Sequence, residues 1–495
     1  MELEGTRLGS RNHGGLKEIK VRKETEEEEE PLSPMARMFH EPQSNVYCIG
    51  IMGFKSPIDP QIFKANWLHT VVKHPRFSSV QVADGGEMKW VKTKVDIDNH
   101  VIVPMVDQDQ YHMDMAASDK FVQDYVANLT KTQISTSIPM WDCHILNLKT
   151  SDAESTLIIR VHHSLGDGTF LTSLILSCSD TLPSYPAKRE SAPAGAGWFW
   201  SPLMLTWNTF VDIWMCVATA YFLKDTETPL KAASSSVAFT CRRIVRRTFC
   251  LDDVKLVKNA TNTISPPFPI LLLTVNDVML AVTQAGLSRY LNRKYGEAKS
   301  DNGEARELEN YLPLHTRLTA TLFINIRSSR QIYTLEEIVK KKSKAEWGNK
   351  IGYVLFPFKI ALKDNPLDYL KDAKSTMDRK KATLEAKFRM FMAKENNYWQ
   401  LASFPLTTMW FSNVAGPQEQ ISLFDNQVTS ISMSLYGQPV ALTIHIINYE
   451  KKISMVLSVD DNIIPDPYEL CDDFEEALKL LKASILKKLS NSSRL

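Results

Sequence analysis

Apolar and polar positions along the chain follow two periodicities, one typical of strands and one typical of helices. Runs rich in β-branched and aromatic residues predict strands at 45–54, 141–148, 155–163, 321–327 and 407–414, and hairpins around Asp84-Gly85-Gly86 and over 439–459. Helical spacing of apolar residues predicts helices over 59–73, 168–178, 277–294 and 468–488. Because helices and strands are mixed along the whole chain, the fold class is predicted to be α/β or α+β.

Composition divides the chain into two folded regions. Residues 1–33 combine basic and acidic runs with few apolar positions, which predicts a disordered leader. Folding signals extend over 34–182, and 183–197 is then rich in Pro, Ser, Ala and Gly, as expected of a linker. We therefore expect an N-terminal lobe at 34–182, a linker at 183–236 and a C-terminal lobe at 237–495.

The linker contains one long apolar segment, 198–223, with four of the ten tryptophans and a single charge, Asp212. Its length suffices to span a bilayer as a helix. Its polar residues are spaced by seven, four and seven positions and so share one helical face: Ser201, Asn208, Asp212 and Thr219. Such a face favours a helix that lies in the membrane interface or packs on protein. We expect monotopic attachment to a membrane surface; a spanning helix and a helix buried between the lobes are the alternatives.

Charge and cysteine usage exclude several classes of protein. The 495 residues include 58 Lys and Arg against 57 Asp and Glu, so the net charge of +1 gives no reason to expect a nucleic-acid partner. The seven cysteines are scattered and form no CxxC pair, which argues against a disulfide framework or a zinc site. The mean hydropathy of −0.21 excludes a polytopic membrane protein. Since the N-terminus lacks the apolar core of a signal peptide, we expect the bulk of the chain to lie in the cytosol.

The sequence LIIRVHHSLGDGTFL carries the strongest chemical signal, because it places polar groups where a buried strand ends and a helix begins. These groups are His162, His163, Asp167 and Gly168. A neutral imidazole can accept the proton of a hydroxyl group that attacks an acyl carbon. Two histidines satisfied by the backbone, with Asp167 as a helix N-cap, are the alternative interpretation.

HHSLGDG resembles the HHxxxDG motif of the coenzyme-A-dependent acyltransferase superfamily. Further motifs resemble the plant branch of the wax ester synthase/diacylglycerol acyltransferase family: EPLSPMARMF (30–39), KHPRFSS (73–79), PMWDCHIL (139–146), NDVMLAVTQ (276–284), NIR (325–327), WGNKIGY (347–353), FSNVAGP (411–417) and DNIIPDP (461–467). The resemblance implies two chloramphenicol-acetyltransferase-like lobes with an active-site tunnel between them. It also implies transfer of a fatty acyl group from acyl-CoA, a co-substrate, to a long-chain fatty alcohol or to diacylglycerol.

The resemblance further implies no permanently bound cofactor and no metal. It implies location at the endoplasmic reticulum membrane, with the plasma membrane as the alternative. Carried over to this chain, it makes His163 the general base and His162 its neighbour in the motif, while Asp167 and Gly168 shape the loop. We expect Asp167 to pair with an arginine, and Arg327, at the end of the NIR strand, is the first candidate.

Two further pairs of residues match family motifs. Asn276 and Asp277 form an ND motif, for which we expect structural support as a helix N-cap rather than catalysis. Ser412 and Asn413 lie at a predicted strand end. They are candidates for hydrogen bonds to the thioester oxygen or the pantetheine arm, unless SNVAGP is only a strand followed by a turn.

The sequence departs from the family pattern in two places. Residues 265–273 (SPPFPILLL) are apolar and rich in proline where a short polar segment is expected. The segment between Lys381 and Trp410 is short, which predicts the loss of a helix near the acyl tunnel. These departures support the alternative of a catalytically impaired lipid-binding member of the same fold.

Overall fold

The computed structural model describes residues 30–41, 44–85, 87–106, 114–181, 183, 201–231, 239–264, 272–299, 309–327, 337, 348–394 and 407–492. Most of the predicted leader, up to position 29, and 184–200 of the linker lie outside these residues. Glu30–Pro31 is already a strand, so regular structure includes residues before the predicted boundary at position 34.

The N-terminal lobe mixes short helices with a central group of strands. Its elements in chain order are β1 (Glu30–Pro31), α1 (Pro34–Met38), β2 (Tyr47–Phe54), α2 (Pro60–His69), β3 (Ser79–Asp84), β4 (Glu87–Lys92), β5 (Val101–Ile102), α3 (Met115–Leu129), β6 (Trp141–Leu146), β7 (Ser155–His162) and α4 (Gly168–Leu176). Antiparallel β7 lies between β2 and β6 and is buried along its whole length. This burial explains its nearly continuous apolar sequence, STLIIRVH. A small sheet of β1, β4 and β3 stands apart from it.

The second half of the chain forms the C-terminal lobe and also supplies two strands, β12 and β13, to the N-terminal sheet. Its elements are α5 (Ser201–Tyr221), β8 (Arg242–Cys250), α6 (Leu251–Ile264), α7 (Val275–Glu297), β9 (Arg317–Asn325), β10 (Ile351–Lys359), α8 (Leu367–Lys381), α9 (Glu385–Lys394), β11 (Met409–Val414), β12 (Ser422–Leu423), β13 (Asn426–Tyr436), β14 (Leu442–Tyr449), β15 (Lys452–Asp460) and α10 (Pro467–Ser492). A six-stranded sheet has the order β10-β9-β11-β14-β15-β8. Its apolar core includes α7, which is buried over most of its length.

One long strand from the second half of the chain, β13, belongs to the sheet of the N-terminal lobe. The N-terminal sheet has the order β12-β13-β2-β7-β6-β5, in which β13 pairs antiparallel with β2 from Val428 opposite Phe54 to Tyr436 opposite Tyr47. Residues 422–436 therefore belong to the N-terminal sheet, which differs from the predicted C-terminal lobe of 237–495. Because β14 follows directly in the other sheet, this crossing ties the two lobes together. The predicted mixed α/β class is confirmed.

The apolar segment of the linker forms α5, which packs on the C-terminal lobe through its polar face. Asp212 on this face is 1% exposed, whereas Trp207 and Trp214 on the opposite face are 66% and 64% exposed. None of the described helices is both long enough and apolar enough to cross a bilayer.

The two departures from the family pattern fall largely outside the described residues. Of the segment 265–273, only Leu272 and Leu273 are described, and Leu273 is buried in the core. Within the short segment between Lys381 and Trp410, α9 is present, and 395–406 lies outside the described residues. The loss of a helix there stays a prediction.

Candidate active site

The HHSLGDG segment connects a strand to a helix, as predicted. β7 ends at His162 and α4 begins at Gly168. Asp167 caps α4, because its Oδ1 accepts a hydrogen bond from the backbone N–H of Phe170 at 3.0 Å. The short loop that carries His163 is thus fixed at both ends by regular structure, which is how rigid scaffolds present reactive groups.

His163, the predicted general base, is held in one orientation. Its backbone N–H donates to the carbonyl of Val46 at 2.9 Å. Its ring stacks on Phe39, with centroids 4.0 Å apart and planes inclined by 22°. The residue is only 6% exposed, and this burial lowers the pKa of the imidazole from 6.5. His163 is therefore neutral, and a proton acceptor, at neutral pH.

Asn349, in the loop before β10, contacts His163 from the C-terminal lobe. Its Nδ2 donates to the backbone carbonyls of His163 at 2.7 Å and of Ser164 at 3.2 Å. Its Oδ1 lies 3.2 Å from the ring Nδ1 of His163. Within the described part of the chain, no hydrogen bond is recorded to the other ring nitrogen, Nε2. That nitrogen is therefore available to a substrate hydroxyl.

His162 has a different environment. Its Nδ1 lies 2.6 Å from Ser164 Oγ, and its Nε2 lies 3.1 Å from Asn45 Oδ1. The ring also contacts those of His40 and Tyr47, with centroids 4.6 and 4.8 Å away. His162 is fully buried and does not line the large cavity that contains His163. We therefore treat His162, predicted in the catalytic set, as a supporting residue.

Asp167 and Arg327 form the ion pair that the sequence predicts. Asp167 Oδ2 lies 2.8 Å from Arg327 Nη2, and Oδ1 lies 3.0 Å from Nη1. The carboxylate also accepts the backbone N–H of Lys350 at 2.8 Å, while Arg327 donates to the carbonyl of Gly348 at 2.6 Å. These contacts fasten the HHSLGDG segment to the loop that carries Asn349.

A cavity lies between the lobes and contains His163. One part of its wall is apolar and comes from α2, α4, β7 and nearby residues of the N-terminal lobe: Trp67, Val71, Phe77, Ile159, Leu171 and Ile175. The opposite part comes from β9, β11 and β14 of the C-terminal lobe. Gly168 also lines it, and a Cβ there would lie 3.4 Å from the side chain of Val414. The predicted site between two lobes is thus present as a cavity.

Of the four remaining supporting candidates, two line the cavity and two lie at the start of α7. Asp277 is fully buried and forms a capping box with Thr274, whose backbone N–H it accepts at 2.8 Å. Asn276 accepts a hydrogen bond from Asn413 Nδ2 at 2.9 Å. Ser412 and Asn413 both line the cavity. The N-cap of α7 is Thr274, so the N-cap expected at Asn276 and Asp277 is wrong; Asp277 is instead the third helical residue and completes the capping box. Ser412 contributes a hydroxyl group to the cavity wall.

Sequence reasoning missed one more polar residue of the cavity, His445 on β14. It is paired in register with Ser412 of β11, so both side chains lie on the same face of the sheet. Its Nδ1 lies 3.5 Å from Ser434 Oγ, and burial lowers the pKa of the ring to about 3. The sequence signal is weak, because His445 is one polar position within the apolar run LTIHII.

Comparison with known proteins identifies the family. "Wax ester synthase/diacylglycerol acyltransferase 5" of Arabidopsis thaliana is 42% identical over 515 residues, which cover 97% of this chain and 98% of that protein. "Wax ester synthase/diacylglycerol acyltransferase 11" of the same plant is 41% identical, with 93% and 96% covered. The chain belongs to the wax ester synthase/diacylglycerol acyltransferase family. A family model described as "WS/DGAT C-terminal domain" matches residues 347–482.

Solved structures extend this family fold to distant proteins. A wax ester synthase/diacylglycerol acyltransferase from Marinobacter aquaeolei VT8 matches with a TM-score of 0.56 at 16% identity, covering 92% of this chain and 99% of that one. The starter condensation domain of rhizomide synthetase, solved in complex with C8-CoA, matches with a TM-score of 0.54 at 10% identity, covering 92% and 95%. At these identities the likeness shows the fold alone, and it confirms the two-lobed architecture implied by the family motifs.

Within the described ranges, no group of three or more His, Cys, Asp or Glu side chains is placed to hold a metal ion. The polar residues on the cavity wall include His163, Ser412 and His445.

Proposed function

We propose that this protein, an acyl-CoA-dependent O-acyltransferase by its family, transfers a long-chain fatty acyl group to the hydroxyl of a long-chain fatty alcohol or of diacylglycerol, with His163 as general base. The observation that carries the proposal is a neutral, buried histidine whose Nε2 has no protein partner in the described structure and which lines a largely apolar cavity. An apolar cavity suits a long acyl chain, and the free nitrogen suits a hydroxyl donor.

In the proposed reaction, Nε2 of His163 takes the proton of the acceptor hydroxyl as its oxygen attacks the thioester carbonyl carbon. The tetrahedral intermediate collapses with cleavage of the carbon–sulfur bond. The coenzyme-A thiolate then takes the proton from the imidazolium, which returns His163 to its neutral form and releases the ester and coenzyme A. Ser412 and the neutral ring of His445 supply hydrogen-bond donors on the cavity wall for the developing oxyanion.

His163→Ala tests the proposal in a yeast strain that lacks neutral-lipid synthesis and is fed fatty alcohol. Thin-layer chromatography of the lipids separates wax esters from triacylglycerol, so one assay also ranks the two acceptors. We expect the rate to fall by about 10²–10⁴-fold, the usual contribution of a general base.

His69→Ala, at an exposed position on α2, is the matched control. Ester synthesis by His163→Ala at the wild-type rate would exclude His163 as the base. A wild-type protein that binds acyl-CoA without turnover would favour the lipid-binding alternative.

We also propose that α5 attaches the protein to the cytosolic face of the endoplasmic reticulum membrane without crossing it. Large apolar side chains project from one face of this helix and the residues that follow it, each more than half exposed: Leu203, Met204, Trp207, Phe210, Trp214, Tyr221 and Phe222. Aromatic residues, tryptophan above all, favour the boundary between headgroups and acyl chains. A patch of this kind is unusual on a surface that meets only water.

The polar face of α5 supports this orientation, because it is fastened to the C-terminal lobe. Asp212 Oδ1 lies 2.6 Å from Arg379 Nη1 and 2.9 Å from Lys380 Nζ. Thr209 Oγ1 accepts the backbone N–H of Leu384 at 3.0 Å. With these polar contacts turned toward protein, the aromatic face is directed outward, where a helix lying in the membrane interface needs it.

Flotation with phospholipid vesicles tests the attachment. We expect the double variant Trp207→Ser/Trp214→Ser to lose at least about 100-fold in vesicle partitioning, because each buried aromatic side chain contributes about 1.5–3 kcal/mol. Ile62→Ser/Met115→Ser, which removes two exposed apolar side chains of the N-terminal lobe, is the matched control. Equal flotation of both variants would contradict the proposal.

Topology and location need separate measurements in cells. A glycosylation acceptor placed after Leu223 stays unmodified if α5 lies on the cytosolic face. Its modification would show a spanning helix instead. A fluorescent fusion is expected at the endoplasmic reticulum, and fluorescence at the plasma membrane would contradict that location.

A further inference from the structure

We infer that Asn349 is a positioning residue that sets the tautomer and the orientation of His163. The inference rests on the proposed role of His163 as the base. Asn349 comes from the C-terminal lobe, 186 positions along the chain from His163, and is 8% exposed. Its three hydrogen bonds all go to the HHSLGDG segment: to the ring of His163, to the carbonyl of His163 and to the carbonyl of Ser164.

The backbone carbonyls determine which way the Asn349 amide faces. A carbonyl oxygen accepts hydrogen bonds and cannot donate them, so the group 2.7 and 3.2 Å from the two carbonyls must be the NH₂ group. The amide oxygen is then the group next to Nδ1 of His163. Since that oxygen only accepts, Nδ1 must carry the ring proton of the neutral imidazole. The lone pair is thereby placed on Nε2, the nitrogen that the proposed reaction uses.

The residues on either side of Asn349 are held in place by Asp167 and by its partner Arg327. The carbonyl of Gly348 accepts from Arg327, and the N–H of Lys350 donates to Asp167. Gly348 has a φ of +73°, and a Cβ there would meet the guanidinium of Arg76 at 2.0 Å. Only glycine suits this position. Arg76 in turn donates to the carbonyl of Leu165 at 3.3 Å. The hydrogen bond of Asn349 to the ring of His163 thus forms only when the two lobes are assembled.

An amide at this position has a different effect from a carboxylate. A carboxylate beside Nδ1 would favour the charged imidazolium strongly, whereas the hydrogen bond of the uncharged amide raises the pKa of the ring only in part against the larger lowering by burial. Other titratable groups near His163 are Asp167, which is paired with Arg327, and the buried side chains of Cys48, His162 and His445. Burial raises the pKa of the Cys48 thiol and lowers the pKa values of His162 and His445, so these three are neutral near pH 7.

Two variants test the inference through the pH dependence of kcat/KM in purified protein with acyl-CoA and a fatty alcohol. Asn349→Leu removes the acceptor at similar volume, and we expect kcat to fall by about 100-fold or more with the KM for acyl-CoA within twofold of wild type. Asn349→Asp keeps the acceptor but adds charge. We expect the acid limb of its kcat/KM profile to move upward by about one pH unit or more.

Asn448→Leu is the matched control. Asn448 also bridges backbone groups through both amide atoms, to the N–H and carbonyl of Gly416 at 3.0 Å each, and it lies outside the cavity lining. This control is expected to lower the thermal midpoint without moving the acid limb. If Asn349→Leu lowers only the thermal midpoint, or Asn349→Asp leaves the acid limb in place, Asn349 is structural only and the inference fails. If His163→Ala is itself active, the proposed function fails instead.

Discussion

The carboxylate of Asp167 accepts hydrogen bonds from two backbone N–H groups and from Arg327. Oδ1 accepts from Phe170 N–H and Arg327 Nη1, and Oδ2 accepts from Lys350 N–H and Arg327 Nη2. The side chains of Asp167 and Arg327 are 2% and 6% exposed. A buried ion pair is tolerated when hydrogen bonds satisfy its remaining atoms, and here they do. At the scale of single residues, Asp167 holds the loop of His163 to α4, to Arg327 and to Lys350.

Arg327→Ala should therefore destabilise the protein strongly, because it leaves the Asp167 charge buried without its partner. We expect the free energy of unfolding to fall by about 3–5 kcal/mol, measured by denaturant unfolding. Exchanging the pair, with Asp167→Arg and Arg327→Asp together, should recover only part of this loss. The exchanged pair keeps the opposite charges but loses the cap of α4 and the bond to Lys350. Full recovery by the exchange would show that the charge pair alone matters.

The sequence predicted one of the two interlobe contacts at the site and missed the other. Arg327 was predictable because the NIR motif places a charged side chain at a strand end, where a buried carboxylate needs it. Asn349 lies in the quoted WGNKIGY motif, but nothing in its local sequence shows what it touches. An asparagine in a loop usually satisfies its own backbone, so its contact with His163 follows only from the packing of the lobes.

At the scale of elements, helices and strands lie where the spacing of apolar residues predicts them when an element is buried on one face or on all sides. β7, α4 and α10 lie within a few residues of their predicted bounds. β13 was not predicted, although ISMSLY within NQVTSISMSLY alternates apolar and polar residues as a half-buried strand does. Its pairing with β2 of the other lobe joins segments far apart in the chain and cannot be read from that alternation. The polar stripe of α5 was correctly placed on one face, and that face packs on protein.

Asp212→Ala should loosen α5 from the C-terminal lobe. Asp212 is the acidic partner of both Arg379 and Lys380, and the Lys380 side chain is only 3% exposed. Lys380 also pairs with Glu385 at 2.8 Å, so the cost is smaller than the roughly 3–5 kcal/mol of a buried charge left without any partner. We therefore expect faster limited proteolysis within 201–221 and a lower thermal midpoint. Asp252→Ala, at an exposed position at the start of α6, is the control. Unchanged proteolysis in Asp212→Ala would show that apolar contacts alone hold the helix.

The whole molecule is two sheets tied together by β13, with His163 and the cavity between them. Folding buries further histidines away from water. His74 is fully buried and His445 is 5% exposed. Burial lowers the pKa of each ring to about 3, against 6.5 for the free side chain, and the positive charge of Arg76 adds to the effect at His74. Both rings are therefore neutral in the folded protein over the physiological range.

Stability should consequently fall in mild acid. Below pH 6.5 the unfolded chain takes up protons on these two histidines while the folded chain does not, so stability present above pH 6.5 is lost as the pH falls toward 3. Each group contributes about 1.4 kcal/mol per pH unit within this window. Unfolding measured between pH 7 and pH 5 should show a shallower slope in His445→Gln than in the wild type or in His69→Gln. Equal slopes in all three would exclude the His445 contribution.

The sequence by itself determined many of the elements, the mixed class, the family and the position of His163 at a strand end, because these depend on local periodicity and on motifs that are contiguous in the chain. Only the tertiary structure decided that β13 joins the N-terminal sheet, that the polar face of α5 turns toward protein, that Asn349 contacts His163 and that His445 lines the cavity. Each of these contacts joins distant segments. Packing decides them, since a side chain's neighbours across a lobe boundary are set by the whole arrangement of sheets and helices and leave little trace in the residues beside it.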